Sequence, residues 1–474
     1  MLNANRTRFA ALFLIILSAC KVPALVQVQP HNALPARFSE GDSSVAAAPG
    51  WRQFFPDANL QHLIDTALAR NQELMITYQE LQVVRNEVLL RQAALRPSVA
   101  ARLGMGVEKV GRYTSQGAGD ASTEIEDGKE MPEPLPDFTG ALYARWEADI
   151  WKKLRTAKQA AVARYLATQE GRNFLQTGVL SEVASAYYEL LALDNQLAIV
   201  ERNGALQQNA LELMKVQKEA SRVTELAVQK FSAEVFHTQS LAFDLRQQIR
   251  ETENRINLLL GRYPQPVARA KQELLELPVP QTPAGLPAQL LANRPDIRQA
   301  ELQLQAARLD VQVARKEFYP SLDISATLGL QAFKPGYLAK LPASLLYNVG
   351  ADLAGPLINR NAIRAEFNSA NARQLQALYG YERNVLNAYL EVANALSRSG
   401  NLAQGYALRS REVEALNRST DIANDLFRSA RADYLEVLMT QRDALEAKLE
   451  LVETKKAQFL AAVQLYRALG GGLR

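Results

Sequence analysis

Four segments of the chain alternate strictly between apolar and more polar residues, the pattern of a β-strand with two different faces. In the first, every second residue from Val99 to Val107 is apolar. The segments cover about 98–108, 138–150, 321–332 and 344–355. Each has about ten residues, the length of a tilted strand that crosses a membrane. One such segment alone is more typical of a soluble antiparallel sheet with one wet face, and that alternative stays open.

Long stretches between these segments repeat apolar residues at the spacing of an α-helix. The predicted helices cover about 59–95, 154–219, 224–260, 295–318, 361–428 and 433–469. The two longest would each measure about 100 Å at 1.5 Å per residue. A helix of that length cannot bury its apolar stripe inside a compact domain, so it needs helical partners of similar length, as in a coiled coil.

The chain contains two copies of one plan. Residues 67–106 align without gaps on 290–329, with nine identities among forty positions, and 221–261 align more weakly on 430–470. In each copy a helix ends at a proline, two strands follow, and a long helical hairpin completes the copy. We therefore divide the chain into a first repeat (57–261, with its hairpin at 152–260), a linker (262–293), a second repeat (294–470, with its hairpin at 359–469) and a tail (471–474).

The first twenty residues resemble a bacterial lipoprotein signal. Arg6 and Arg8 precede the apolar run 9–17, which is too short for a membrane-spanning helix. Leu17-Ser18-Ala19-Cys20 then matches a lipobox, and Cys20 is the only cysteine. We expect a signal peptide over 1–19 and a lipid-anchored segment over 20–56 that starts at Cys20; an incidental thiol is the alternative. Because Lys21 rather than aspartate follows Cys20, an outer-membrane location is expected.

On an exported and lipidated chain, the four alternating segments favour a membrane-spanning sheet. An open sheet in lipid would leave backbone groups unpaired at its edges, so the sheet must close into a barrel. Four strands are too few to enclose a passable bore, because barrel diameter grows with strand number. The sequence therefore predicts that several chains share one barrel, and three chains would supply twelve strands with cyclic symmetry.

Composition excludes several other classes of function. The chain has 54 Lys and Arg against 50 Asp and Glu, and no basic run, so nucleic acid is not an expected partner. Three scattered histidines and one cysteine exclude a His/Cys metal cage, and no cofactor is expected. The sequence has no phosphate-binding glycine loop, no HExxH motif and no plausible Ser/His/Asp spacing, so an enzyme is not expected.

Several ordered motifs resemble the TolC-like outer-membrane factor family, especially its lipid-anchored NodT-type branch in drug efflux. They are Arg294-Pro295-Asp296-Ile297, Phe318-Tyr319-Pro320-Ser321, Tyr434-Leu435-Glu436-Val437-Leu438, and the passage from Leu465 to Gly472. The resemblance covers nearly all of 57–472. It implies a homotrimer with a twelve-stranded β-barrel in the outer-membrane lipid and a long periplasmic α-helical tunnel. It also implies two partners, a periplasmic adaptor (membrane fusion) protein at the tunnel tip and an inner-membrane transporter.

The resemblance also implies roles for residues at the helix-to-helix turns. Members of the family usually have glycine at each turn, where this chain has Ser221 and Ala430. We take Ser221, Arg222, Ala430 and Arg431 as candidates for docking the adaptor. The family's acidic gate pattern is matched at Glu436, whereas Met439 replaces its second acid. Glu436 is therefore a candidate for a charged ring in the pore, with a solvated helix charge as the equal alternative.

Charged residues on the polar side of the strands are candidates for the barrel lumen. They are Arg102, Arg145, Glu147, Asp149, Asp323 and Asp352, and they could equally be residues of an ordinary wet face. The leading functional hypothesis is a passive outer-membrane duct for the efflux of small toxic compounds, driven by a partner pump. The alternatives are a type I protein-secretion duct of the same fold and a lipid-anchored periplasmic coiled-coil scaffold.

Overall fold

A computed structural model describes residues 23–25, 35–38, 49–269, 274–280, 285, 287–356, 358, 360–429 and 431–471. Cys20, the predicted signal peptide and Ala430 lie outside these described residues. The chain divides into two compact units. The strand unit contains the described residues of 1–29, 83–165 and 302–378, and the helical unit contains those of 30–82, 166–301 and 379–474.

The two halves of the chain show the same order of elements. The first half contains α1 (Trp51–Phe54), α2 (Ala58–Arg70), α3 (Gln72–Ala93), β1 (Ser98–Glu108), α4 (Ser115–Asp120), β2 (Glu124–Glu126), β3 (Lys129–Glu130), β4 (Leu135–Ala148), α5 (Lys153–Glu219) and α6 (Glu225–Leu259). The second contains α7 (Pro287–Asn293), α8 (Pro295–Lys316), β5 (Ser321–Ala332), β6 (Leu345–Ala354), α9 (Asn361–Arg428) and α10 (Tyr434–Ala468). Each half thus passes from helices through two long strands to a helical hairpin.

The four long strands form one antiparallel sheet in the order β1-β4-β5-β6. Ser98 lies opposite Arg145, and Glu147 lies opposite Asp323, which in turn faces Asp352. Directly opposite residues point to the same side of a sheet, so the register separates two faces. The polar face carries Arg102, Gly104, Tyr143, Arg145, Glu147, Asp323, Ser325, Thr327, Asn348 and Asp352. The apolar face carries Val99, Leu103, Met105, Leu142, Trp146, Ile324, Leu328, Tyr347, Val349 and Leu353.

The helix predicted over 59–95 is interrupted at Asn71, and this part of the prediction is wrong. Asn71 has an extended backbone (φ −61°, ψ 126°) between α2 and α3. Its side-chain oxygen accepts the backbone N–H of Leu74 at 3.1 Å, and its amide donates to the carbonyl oxygen of Leu259 at 3.0 Å. The side chain therefore replaces helical hydrogen bonds at the start of α3, as asparagine does at helix N-termini.

Aromatic rings pack together in the core of the helical unit, beside the most buried residues of α5 and α10. The rings of Tyr188 and Phe459 stack at 4.4 Å, and those of Phe54 and Tyr466 stack at 4.3 Å. Tyr187 is fully buried and its hydroxyl donates to Asp57 at 2.6 Å, so its polar group is satisfied. Burial raises the pKa of the Tyr188 hydroxyl far above its usual value. The part of the apolar stripe of α5 that surrounds these rings thus lies in a packed core.

The loop between β1 and β4 contains short elements of regular structure. A short helix, α4, is capped by Thr114, whose side chain accepts the backbone N–H of Gly117 at 3.1 Å. A small hairpin of β2 and β3 follows, and Gly128 at its turn has a φ of +72°. Such short elements have no periodicity that a sequence pattern could reveal.

Candidate functional site

The apolar face of the sheet is unusually exposed. Leu103, Met105 and Val349 are 91%, 85% and 77% exposed, and Tyr347 is 73% exposed. An exposed apolar surface of this kind marks a face that meets another apolar medium or another protein. Among the described residues, no helix has both the length and the apolarity needed to cross a membrane.

Five of the six lumen candidates lie on the polar face of the same sheet. Glu147, Asp323 and Asp352 face one another across three strands, while Arg145 and Arg102 lie further along that face. Asp149 is the exception, because β4 ends at Ala148. Its carboxylate accepts the backbone N–H groups of Leu154 at 2.9 Å and Arg155 at 3.0 Å, at the start of α5. The alternation of apolar and polar residues continues past the end of β4, which is why the sequence pattern places Asp149 in the predicted strand.

The row of three carboxylates is partly neutralised by cations. Arg145 Nη2 lies 3.7 Å from Asp323 Oδ1, and Lys153 Nζ lies 2.7 Å from Glu147 Oε1. These contacts offset the repulsion between like charges on adjacent strands. Arg102 has no ion-pair partner among the described residues. Within the same residues, no group of three or more His, Cys, Asp or Glu side chains could hold a metal ion.

The turn between α5 and α6 is closed by a left-handed residue. Ser221 has a φ of +57°, and its N–H donates to Lys218 O at 2.8 Å. Arg222 N–H donates to Gln217 O at 2.9 Å. These two bonds form a Schellman motif, in which glycine is the usual left-handed residue. Ser221 therefore adopts the backbone conformation for which glycine is normally required.

Charged side chains tie the two helices of this turn together. Glu225 forms an ion pair with Lys218 and accepts a hydrogen bond from Gln229 at 2.7 Å. The hydrogen bond from Gln229, followed by that from Lys218, lowers the pKa of the Glu225 carboxyl below its usual value. Ser221 and Arg222 are both exposed. This turn thus presents polar groups on a well-defined backbone.

The second turn joins α9 to α10. Arg431 N–H donates to Leu426 O at 2.8 Å, the counterpart of the bond made by Arg222. Ala430, the other candidate there, lies outside the described residues. Glu436 is exposed in the first turn of α10, and Met439 is 54% exposed on the following turn. The two gate candidates are thus accessible in a single chain and are available to a pore.

The structure explains one motif to which the sequence had given no role. Arg294 is 4% exposed and holds Asp296 with two hydrogen bonds of 3.0 and 2.7 Å. Its Nη1 also donates to Glu391 at 2.7 Å and to the carbonyl oxygen of Ala468 at 2.9 Å. The Arg-Pro-Asp-Ile passage therefore joins the start of α8 to α9 and to the end of α10.

A second cluster, which the sequence patterns do not indicate, joins two loops of the strand unit. Glu126 accepts hydrogen bonds from Lys334 at 2.7 Å, from Lys129 at 2.9 Å and from the hydroxyl of Tyr337. Lys340 lies 3.9 Å from the centre of the Tyr337 ring. The hydrogen bonds from Lys334, Tyr337 and Lys129, in that order, lower the pKa of Glu126 to about 2. The loop after β1 is thereby fastened to the loop after β5.

Comparison with known proteins identifies relatives of the whole chain. The model of the "Outer membrane efflux protein" family matches residues 63–262 and 286–471. The chain is 30% identical over 462 residues to the pyoverdine export outer membrane protein OpmQ of Pseudomonas aeruginosa, covering 97% of this chain and 95% of OpmQ. It is 27% identical over 468 residues to the cation efflux system protein CusC of Escherichia coli, covering 97% of each.

Solved structures show the same fold. The chain superimposes on CusC with a TM-score of 0.81 and 25% identity, covering 94% of this chain and 99% of CusC. For the outer-membrane channel OprN the TM-score is 0.84 at 25% identity, covering 95% and 99%.

These comparisons confirm the expected fold class, a trimeric twelve-stranded β-barrel with four strands from each chain, continued by a long periplasmic α-helical barrel. The expected location in the cell outer membrane, with a periplasmic extension, is confirmed as well. An efflux channel is the function that these relatives share. The chain belongs to the outer membrane efflux protein family.

Proposed function

We propose that this protein is the passive outer-membrane duct of a tripartite pump that exports small toxic compounds from the periplasm to the exterior. The observation that carries the proposal is the two-sided sheet. Its apolar face is exposed, as a lipid-facing surface must be. The opposite face carries the charged residues Arg102, Arg145, Glu147, Asp323 and Asp352. A closed barrel of such sheets would have a charged lumen in an apolar wall. The duct performs no catalysis, and the energy for transport comes from the partner pump.

The two helical turns are the proposed docking sites for the periplasmic adaptor. Ser221 and Arg222 present one exposed turn of fixed backbone conformation, and Arg431 belongs to the second turn, together with Ala430. An adaptor protein bound there would connect the homotrimer to an inner-membrane transporter. The two turns belong to the two proposed repeats, 57–261 and 294–470, so a trimer would offer six similar turns. Lipidation of Cys20 would anchor each chain in the membrane.

The proposed gate lies beside the second turn. Glu436 and Met439 are one helical turn apart on α10, and both are exposed. Three copies of Glu436 at a narrow point would attract cations, and three copies of Met439 would form an apolar constriction. Because Met439 carries no charge, the gate would hold three carboxylates rather than six.

The expected cargo is a small molecule. The relatives named above export pyoverdine and cations, according to their names, and this chain matches almost their whole length. The lumen candidates are mixed charges rather than a pocket for one ligand, so the partner pump selects the cargo.

Deletion of the gene, followed by a panel of toxic compounds, tests the function. We expect the deletion strain to become more sensitive to some compounds, and the wild-type gene to restore resistance. A variant with Cys20→Ala separates the duct from a lipid-anchored scaffold: we expect it to remain a trimer in the membrane fraction, whereas a soluble monomer would favour the scaffold. Normal susceptibility to every compound, or the loss of a secreted protein instead, would overturn the efflux proposal.

A further inference from the structure

The end of the sheet that joins the helices carries an aromatic and basic surface. In the antiparallel order, the start of β1 and the end of β4 lie together, since Ser98 faces Arg145. Arg96 lies two residues before β1, and Lys152 lies four residues after β4. We call Arg96, Lys152, Trp146, Trp151 and Tyr319 the basic-aromatic rim.

Arg96 is held on the lipid-facing side of this rim. Trp146 belongs to the apolar face of β4, and its Nε1 donates to the carbonyl oxygen of Leu95 at 3.1 Å. The segment that carries Arg96 therefore passes over the apolar face. The Arg96 side chain is exposed, and it forms no hydrogen bond or ion pair with any described residue.

Lys152 is fixed in an unfavourable backbone conformation. Its φ is +57°, a left-handed value that favours glycine. Its carbonyl oxygen accepts Thr156 Oγ1 at 2.6 Å, Thr156 N–H at 3.1 Å and Lys316 Nζ at 3.0 Å, and these three bonds hold the conformation. The Lys152 ammonium itself is exposed and pairs with no described carboxylate. A lysine thus occupies a position where glycine would fold with less strain.

The aromatic part of the rim has the character of a membrane interface. Trp151 stacks on Tyr319 with ring centres 5.0 Å apart, and its Nε1 donates to the carbonyl oxygen of Pro320 at 2.7 Å. Trp151 remains 44% exposed. Tryptophan and tyrosine concentrate at the boundary between lipid tails and headgroups, because their rings are apolar with one polar group.

The nearby carboxylates already have partners within the chain, with Lys153 shared between Glu147 and Glu317. Asp149 accepts two backbone N–H groups of α5 and lies 3.6 Å from Arg155, and Glu317 lies 3.6 Å from Lys153. Arg96 and Lys152 are therefore the charges of this rim that lack a partner within the described chain. They lie beside aromatic side chains at the periplasmic end of a sheet that the family places in the outer membrane.

We propose that the basic-aromatic rim binds the phosphate groups of anionic phospholipids, such as phosphatidylglycerol, in the inner leaflet of the outer membrane. This inference requires that the sheet spans the outer membrane, and it does not depend on which compound the duct exports. Basic side chains beside the membrane attract anionic headgroups, and the aromatic rings fix their depth. A trimer would carry three such rims, one at each β1–β4 pair.

Native mass spectrometry of the purified trimer, with phosphatidylglycerol and phosphatidylcholine added in turn, tests the proposal. The test variant combines Arg96→Gln with Lys152→Gly, since glycine tolerates the backbone at position 152 and keeps the fold. We expect its preference for phosphatidylglycerol over phosphatidylcholine to fall roughly fivefold for each charge removed. The control is Arg102→Gln, which removes a cation from the opposite face of β1 and should leave the preference unchanged.

Three outcomes would overturn the proposal. The double variant could keep the wild-type preference, Arg102→Gln could lower it equally, or both lipids could be lost to the same extent. The last result would assign the rim to general apolar anchoring. A single-channel measurement on the same double variant keeps this proposal separate from the duct, because loss of lipid preference with normal conductance leaves the proposed function intact.

Discussion

Arg294 and Glu391 are joined by a hydrogen bond of 2.7 Å, although 97 positions separate them in the sequence. The same guanidinium holds Asp296 and the carbonyl oxygen of Ala468. One buried side chain therefore connects three helices of the helical unit at the point where the second repeat begins. Only arginine offers enough N–H groups in a planar arrangement for all of these acceptors.

Replacing Arg294 should destabilise the trimer strongly. Arg294→Met removes the cation from the mostly buried Asp296 and from the more exposed Glu391, and breaking the buried Arg294–Asp296 pair costs about 3 kcal/mol or more. The temperature at which the trimer dissociates in detergent measures the effect. The control is Arg298→Met, because the ion pair of Arg298 with Glu170 at 3.0 Å is more exposed and should contribute about 1 kcal/mol or less. Equal effects of the two variants would show that Arg294 has no special role.

Ser221→Gly should stabilise the turn between α5 and α6. Glycine adopts the positive φ of Ser221 without the cost of about 1 kcal/mol that other residues incur. Hydrogen exchange of the Arg222 backbone amide, which donates to Gln217 O, should become slower, and in Ser221→Val it should become faster. If Ser221→Gly exchanges faster than the wild type, the turn does not depend on this backbone conformation.

The loop contact at Glu126 should fail only in strong acid. The pKa of Glu126 is lowered from 4.5 to about 2, so its contribution is complete above 4.5 and is lost as the pH falls through about 2. Glu126→Gln removes the charge at every pH, and pepsin should therefore cleave the variant's loops faster than those of the wild type. The ratio of the two rates should approach one as the pH falls towards 2. Glu130→Gln, in the same hairpin, is the control, and a ratio that does not change with pH would contradict the account.

Glu436→Gln should weaken cation selectivity at the proposed gate. Removing one carboxylate from each chain removes the ring that attracts cations, and selectivity measured in single channels should fall several-fold. Met439→Asp adds a second carboxylate and should raise it. Glu414→Gln, on the exposed side of α9, is the control. Unchanged selectivity in Glu436→Gln would assign this residue to the solvated surface of the helix.

The regular elements could be predicted because their periods differ. An alternation of two identifies the strands around Leu103 and Leu328, and a period of 3.6 identifies the long helices almost to their ends. The same signals did not show where elements stop. The helical period runs unbroken through Asn71, and the alternation runs past Ala148 to Asp149, so both errors fall where a polar side chain caps a helix.

Contacts between distant residues could not be predicted from these patterns. Glu126 and Lys334 are 208 positions apart, and nothing in either loop indicates the other. The role of Arg294 could not be predicted for the same reason, because its acceptors on α9 and α10 follow it by 97 and 174 positions. Nearby residues in the sequence show which face of a strand or helix is apolar. The partner of a side chain, in contrast, depends on the complete fold.

A matched pair of substitutions in β5 tests most directly whether the apolar face of the sheet lies in lipid. Leu328 and Thr327 are neighbours near the middle of this strand and point to opposite faces. An arginine on the lipid side costs about 2–4 kcal/mol near the centre of the bilayer, whereas an arginine in the lumen remains hydrated. Heat-modifiable trimers in the outer-membrane fraction should therefore disappear in Leu328→Arg and persist in Thr327→Arg. Normal trimers in both variants, or their loss in Thr327→Arg alone, would contradict the account.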